Sequence, residues 1–403
     1  MNARKRVIGI ALLTALSVVG DSMLFIVLPI YWEDFGLTAV WQIGVLLSVN
    51  RFVRLPINPL IGLFYKHFQL RTGLYIAVFL AISTTFSYGV VKEFWLLFFM
   101  RALWGVAWSL LRLGGYLTVI EFTEQMNRGK FVGLYNGLWG LGGLVGMLGG
   151  GLLVDQTSLF FVTTLFALLG LLAIPMVVLF VPVSQPNTEI KPTTGTKVNG
   201  FSTYIWLVLA TGFTMGFVVF GLFASTLSQL INNNYSNEWT IMEFTVGAAT
   251  IAGIIQAIRW GWDPFIASAI GRRLDIASSQ IRILYIPLLG GGLLLLILGF
   301  LQSIILLIVS LLLFQLMSTL FVTTTDTLAT NTAGNSSNSI KVITAHTIVI
   351  DVGAAVGPFM SYVVIQYFNL ITVYIMASAL MTGLALIWYI YNRYTFKKSY
   401  NLI

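Results

Sequence analysis

The sequence predicts an all-α membrane protein, with twelve transmembrane helices arranged as two six-helix bundles in parallel repeat. Three observations predict it. The 403 residues are 58% hydrophobic and only 9% charged, with a mean hydropathy of +0.90, whereas a water-soluble globular protein has about 25% charged residues. Apolar runs long enough to cross a bilayer recur from one end of the chain to the other. Unusual residue patterns in the first half also return in the second at similar offsets.

The apolar stretches fall near residues 7–32, 39–64, 73–91, 94–120, 131–154 and 159–182, then near 201–224, 241–266, 281–301, 304–328, 340–366 and 370–392. Each is read as a helix, because in hydrocarbon a helix satisfies its own backbone within one segment. The first stretch follows Arg4, Lys5 and Arg6 in the manner of a signal peptide, but it is too long and ends at Pro29 to Trp32 without a small-residue cleavage site. It is read as helix 1. Residues 183–200, VSQPNTEIKPTTGTKVNG, are polar and carry two Pro and two Gly. They are the expected cytoplasmic linker between an N-terminal bundle, 1–182, and a C-terminal bundle, 201–403.

With the N-terminus in the cytoplasm, sixteen of the 22 Lys and Arg residues fall inside and only Lys92 falls outside; Arg51, Arg54, Arg101, Arg112 and Arg259 fall within spans. That asymmetry predicts a multi-pass protein of the plasma membrane with both termini cytoplasmic. It assigns the formal charge of +8 to contact with anionic headgroups and excludes a nucleic-acid-binding stripe. There is no cysteine, which excludes disulfides, thiolate catalysis and iron–sulfur clusters. His67 and His346 are the only histidines, so no metal site is expected.

Two patterns repeat. Arg54, Asn58 and Pro59 in helix 2 return as Arg259, Asp263 and Pro264 in helix 8, 205 positions later, and Gly142, Gly146 and Met147 in helix 5 return as Gly353, Gly357 and Pro358 in helix 11, 211 positions later. Glycines four apart allow close helix contact in any membrane bundle. Two matched patterns at similar offsets favour duplication, and parallel six-helix halves about a midplane cavity are a transporter architecture.

On these residues the chain resembles the major facilitator superfamily over essentially its whole length. The family's loop signature, Gly-x-x-x-Asp-Arg-x-Gly-Arg, is degenerate after helix 2, where Gly62 is followed by Lys66 at the acidic position and Gln69 replaces a glycine. After helix 8 the chain keeps Gly271, Arg272, Arg273 and Asp275, with Arg282 further on. The resemblance therefore places the cytoplasmic latch mainly in the second half. Helix 5 is similar to the antiporter branch's Gly-x8-Gly-x3-Gly-Pro-x-x-Gly-Gly: Gly133, Gly142, Gly146, Gly150 and Gly151 match, and Met147 replaces the proline. Arg101 and Gly105 in helix 4 resemble the family's Arg-x-x-x-Gly motif, which is associated with proton coupling.

An ionisable residue at the bilayer centre costs about 2.5–3.5 kcal/mol, so it normally faces the bundle interior. Nine are expected there: Asp21, Arg51, Arg54, Arg101, Arg112, Arg259, Asp263, Asp326 and Asp351. Any of them could instead be a strut between helices. Asp21 and Arg101 differ in depth by about 6 Å, a gap that a long arginine side chain closes. A motion that separates a buried carboxylate from a guanidinium changes its affinity for a proton. Asp21 with Arg101 is thus the first candidate for proton coupling, Asp326 and Asp351 are competitors, and His346 is read as a satisfied interior residue or a ligand contact. Arg54 with Asn58, and Arg259 with Asp263, share a helical face before a proline, a spacing that also suits a cap on disturbed backbone.

The first half sets Asp21 against four arginines and the second sets Arg259 against three aspartates. A cavity of opposite charge on its two walls suits a zwitterion, or an anion with cationic groups. The predicted substrate contacts are Arg51, Arg54, Asn58, Arg112, Arg259, Asp263 and His346, with the aromatics Trp104, Trp108, Tyr135 and Trp139; aromatics in a membrane protein also face lipid. The reading is a monomeric proton-driven antiporter that exports a small organic solute and needs no cofactor beyond the proton gradient. A faint resemblance extends to exporters of opine-type metallophores such as staphylopine, with multidrug efflux as the alternative. A proton-coupled importer would use the same network. No Gly-x-Ser-x-Gly, His-Glu-x-x-His or Gly-x4-Gly-Lys-Ser/Thr pattern is present, which argues against an enzyme.

Overall fold

A computed structural model describes residues 3–122, 128–181, 202–235, 239–241, 244–276, 279–334, 336 and 339–400. The expected linker, 183–200, lies outside the described residues. Twelve long helices are seen among the described residues. Six precede the linker: α1 (Ala3–Val27), α2 (Trp41–His67), α3 (Leu70–Val90), α4 (Phe94–Phe122), α5 (Arg128–Gln156) and α6 (Leu159–Phe180). Six follow it: α7 (Thr203–Asn234), α8 (Ala248–Ile276), α9 (Gln280–Phe300), α10 (Ile304–Gly334), α11 (Ser339–Tyr367) and α12 (Leu370–Tyr400).

Ten of these are long and apolar enough to cross a membrane. The other two, α2 and α8, are of similar length and are the helices that bear the repeated Arg-x-x-x-(Asn/Asp)-Pro pattern. Arg51, Arg54 and Lys66 dilute the first, and Arg259, Asp263, Arg272 and Arg273 the second.

Of four local departures from regular structure among the described residues, three have sequence causes. α6 breaks at Leu172, between Leu159–Leu171 and Ala173–Phe180, because Pro175 lacks an amide donor and its ring crowds the carbonyl four residues back. π-helical turns occupy Gly216–Phe223 in α7 and Ile286–Gly290 in α9; Pro287 in the latter removes an α-helical hydrogen bond and so favours the wider turn. Residues 241–246 do not begin helix 8 as expected. Instead β1 (Trp239–Ile241) pairs antiparallel with β2 (Phe244–Val246), and α8 starts after them. The stretch is apolar enough for a span, but its aromatic and β-branched residues suit a strand pair.

The chain divides into two compact units: Met1–Lys197 with Leu227–Trp260, and Val198–Thr226 with Gly261–Ile403. In the first unit Val7, Ile10 and Leu13 of α1 share a core with Leu74 and Ala77 of α3, Trp104 and Leu111 of α4, Tyr135 of α5 and Val177 of α6. The second unit buries Phe223 and Phe314, with ring centroids 4.4 Å apart. Two of its buried aromatic polar groups are met within the unit: Tyr362 donates to the Ser225 carbonyl at 2.7 Å, and the Trp388 indole donates to Thr211 at 2.9 Å.

Each unit contains the same glycine seam. A Cβ on Gly142 would strike the Ala15 carbonyl of α1, one on Gly146 the Val19 carbonyl, and one on Gly150 the Met23 side chain. In the second unit a Cβ on Gly353 would strike the Phe213 carbonyl, and one on Gly357 would meet Gly221 and Leu222 in the π-helical part of α7. Helix 5 lies backbone to backbone on helix 1, and helix 11 on helix 7, as parallel duplication requires. Gly151 meets the Ala249 carbonyl, whereas Gly62, Gly133 and Gly271 have open space where a Cβ would stand. Large apolar side chains such as Phe79, Trp95, Leu179, Phe265 and Ile305 are well exposed, which suits contact with lipid tails.

Replacing Gly142 or Gly353 by leucine should overpack a seam at a cost of about 1–3 kcal/mol and lower the apparent melting temperature of the detergent-solubilised protein by roughly 5 °C. Gly133→Leu should leave it unchanged. Equal melting temperatures for all three variants would remove the seams from the account.

Candidate functional site

Two buried charges meet where α1 packs beside α4. Arg101 is 1% exposed and Asp21, from α1, is 9% exposed. The guanidinium Nη1 donates to Asp21 Oδ1 and lies 3.5 Å from the Tyr88 hydroxyl of α3. Its Nε donates to the Leu46 carbonyl of α2 at 2.8 Å, and its carbon lies 5.9 Å from the Tyr88 ring centroid. One arginine therefore joins α1, α2, α3 and α4. Its Nη2 has no hydrogen-bond partner among the described residues. The pair forms across the depth difference noted in the sequence, and removing one member of such a buried pair typically costs about 3–5 kcal/mol.

The aromatics of α4 and α5 separate into two groups. Trp104 and Tyr135 are each 1% exposed within the first unit's core, so neither offers a surface to a solute; the Tyr135 hydroxyl lies 3.4 Å from that of Thr14. Trp108 and Trp139 are only part-buried and meet edge to face at 4.9 Å. Beside them Asn136 Oδ1 accepts from the Tyr116 hydroxyl at 3.2 Å and from the Trp139 indole at 3.1 Å. Arg112 lies on α4 between Trp108 and Tyr116 and is part-buried.

Arg51 places its guanidinium 5.6 Å from the Phe25 ring centroid; Arg54 is part-buried and Asn58 exposed. Arg259 is buried, at 9% exposure. Asp263 accepts a hydrogen bond from the Thr319 hydroxyl of α10. Also in the second unit, Asp326 of α10 and His346 of α11 face each other at 3.3 Å, with the imidazole buried and the carboxylate largely exposed. His346 Nδ1 has no partner among the described residues, and Gly212 of α7 leaves the imidazole its space. Asp351 is part-buried and forms no ion pair among the described residues. Lys66 is part-buried near the end of α2, and the backbone at Asp275 is helical.

Four residues enter the arrangement that sequence reasoning missed: Tyr88, Asn136, Thr319 and Asp155. Asp155 accepts from the Tyr31 hydroxyl at 2.7 Å and from the Thr250 amide and hydroxyl at 2.8 and 2.6 Å. It thereby caps the first turn of α8, where free amides favour an anion. Asp155 stands one residue past the apolar stretch expected for helix 5, and Asn136 is an isolated amide in a glycine-rich helix. Those were the available signals, whereas Tyr88 and Thr319 carry none.

The family profile described as Major Facilitator Superfamily matches residues 10–339. No curated protein sequence matches the chain. Among solved structures, a bacterial homolog of the human lysosomal transporter Spinster, in an inward-facing and occupied conformation, is similar with a TM-score of 0.75 at 12% identity, covering 96% of each chain. The nucleoside transporter NupG is similar with a TM-score of 0.72 at 12% identity, over 96% of this chain and 98% of that one. A POT family transporter in complex with a thioalcohol-conjugated peptide gives 0.69 at 10% identity, over 97% and 96%. With its helix order, its paired glycine seams and a profile match over most of its length, the chain belongs to the Major Facilitator Superfamily and is a multi-pass membrane transporter, not an enzyme.

Proposed function

We propose that this transporter is a proton-coupled antiporter of the plasma membrane that exports a small zwitterionic or amphiphilic organic solute by alternating access. The observation that carries the reading is the Asp21–Arg101 pair, a carboxylate and a guanidinium withdrawn from water where four helices meet. An ion pair at that depth is costly to keep unless it does more than pack. A proton added to the Asp21 carboxylate abolishes its charge and releases Arg101 to its remaining contacts, the Leu46 carbonyl and Tyr88. Any movement that draws α1 from α4 has the same effect on the pair, so proton binding and conformation are linked through their differential free energy. Asp326 with His346 is a second carboxylate site available to the same cycle, and Asp351 a third. The glycine-rich helix 5, like that of the antiporter branch, supports export. The bipolar charge of the two halves supports a zwitterionic solute, with opine-type metallophores as the narrower class. Gly62, Lys66, Gly271 and Asp275 are assigned to the cytoplasmic ends that part and meet during the cycle.

In proteoliposomes with an imposed pH gradient, screened with zwitterionic metabolites, metallophores and lipophilic cations, wild-type flux should follow the gradient. Asp21→Asn should lose that response yet retain exchange of labelled for unlabelled solute, which requires no net proton movement. The pH dependence of solute affinity, expected to span roughly 5- to 150-fold for a typical coupling energy, should flatten in the variant. Full gradient-driven flux in Asp21→Asn would remove Asp21 from the coupling, and uptake running with the proton would make the protein an importer.

Orientation has its own test, because the chain has no cysteine of its own. Lys92→Cys should react with a membrane-impermeant maleimide on intact cells, and Lys66→Cys only after permeabilisation. The opposite pattern would invert the topology.

A further inference from the structure

We infer that the cytoplasmic half of the first unit holds an anion subsite, formed by Arg112 and the Asn136 amide beside the Trp108–Trp139 pair, that takes the carboxylate of an organic acid with a flat apolar body. The inference rests on the transport reading above and narrows its substrate class. It starts from a contrast between two arginines on one helix. Arg101 and Arg112 are eleven residues apart in the sequence, so at about 100° per residue they share a face of α4, separated by about 16 Å along its axis. Arg101 is neutralised by Asp21. Arg112 has no carboxylate partner among the described residues.

Arg112 does not face lipid. The exposed apolar side chains of α4, Trp95, Leu96, Phe99 and Ile120, mark its lipid side, and Arg112 lies roughly 100°, 160°, 140° and 80° around the helix from them. It sits one turn below Trp108 and one turn above Tyr116. Trp108 touches Trp139 of α5, and Tyr116 touches Asn136. Arg112 therefore stands on α4 midway between the two residues that touch Trp139 and Asn136.

None of Trp108, Tyr116, Asn136 and Trp139 is an acid. An indole nitrogen only donates, so the Asn136 atom that meets Trp139 is the carbonyl Oδ1. The Tyr116 hydroxyl occupies the same oxygen. Oδ1 is thus committed within the protein, and Nδ2, with its two N–H groups, is the end left for a ligand. A guanidinium fork beside an amide donor, with no acid among these side chains, selects a planar oxyanion. The edge-to-face tryptophans supply the apolar wall for the rest of the molecule.

The test uses the full chain in detergent and phenylacetate as the probe, with phenylacetamide as its uncharged counterpart and phenethylamine as the cation, titrated by calorimetry. Phenylacetate should bind saturably, and the amide and amine at least roughly tenfold more weakly. Arg112→Gln and Asn136→Asp should each remove that preference, and Arg112→Lys should restore part of it, since the charge returns without the fork. Unchanged melting temperatures in these variants would exclude misfolding as the cause. Asp21→Asn should keep the preference for phenylacetate over the amide and the amine at any one pH, whatever its absolute affinity, so loss of proton-driven flux and loss of acid selectivity are separable failures. Phenylacetate binding weaker than about 1 mM, or equal binding of acid and amine, overturns the subsite. So does full retention of the preference in Arg112→Gln. Repeating the titration in phosphatidylcholine and phosphatidylglycerol nanodiscs separates solute from lipid: loss of phenylacetate binding only with the anionic lipid would assign the guanidinium to a headgroup and overturn the solute assignment.

Discussion

Hydrocarbon offers a charge nothing to bind, and this constraint orders the interior of the protein. Every ionisable side chain in a span must be met by the protein, by water in a cavity or by a ligand. The first unit meets Arg101 with Asp21, a backbone carbonyl and a phenol from three other helices. The second meets Asp263 with a threonine hydroxyl and sets a buried imidazole against Asp326. Each of these contacts crosses between helices, so each responds when helices move. A buried contact of that kind is a natural point at which conformation and protonation exchange free energy.

The architecture was largely legible because it rests on two simple signals. Apolar length gave the spans, and the offsets of Arg54 to Arg259 and of Gly142 to Gly353 gave the duplication; the seams of α5 on α1 and α11 on α7 are the physical content of the second. Local conformation was less legible. The strands Trp239–Ile241 and Phe244–Val246 adjoin an apolar helix, and their aromatic and β-branched residues are what distinguish them. The π-helical turn at Gly216–Phe223 depends on how closely α11 approaches, which no local pattern records.

The candidate site was legible in its charges and less so in its neutral members. Asp21 and Arg101 stand out because a charge in an apolar run is rare. Trp104 and Trp108 do not differ in that way: they lie one turn apart on the same face of α4, yet one is sealed in the core and the other only part-buried. Burial at that scale is decided by what α5 and α1 bring opposite each ring. Asn136 was overlooked for the converse reason. Its importance comes from the direction in which its amide is held, and that direction is fixed by an indole three residues away.

The seams also bear on how such a chain ages. Positions that touch lipid accept any oily side chain of any shape, so they impose little on heredity. A glycine whose α-carbon rests on a neighbouring backbone has no smaller replacement, and every single mutation there adds atoms. Spelling can then wander across most of the molecule while a few bare positions, set in two matching rows, hold the plan of the fold in place.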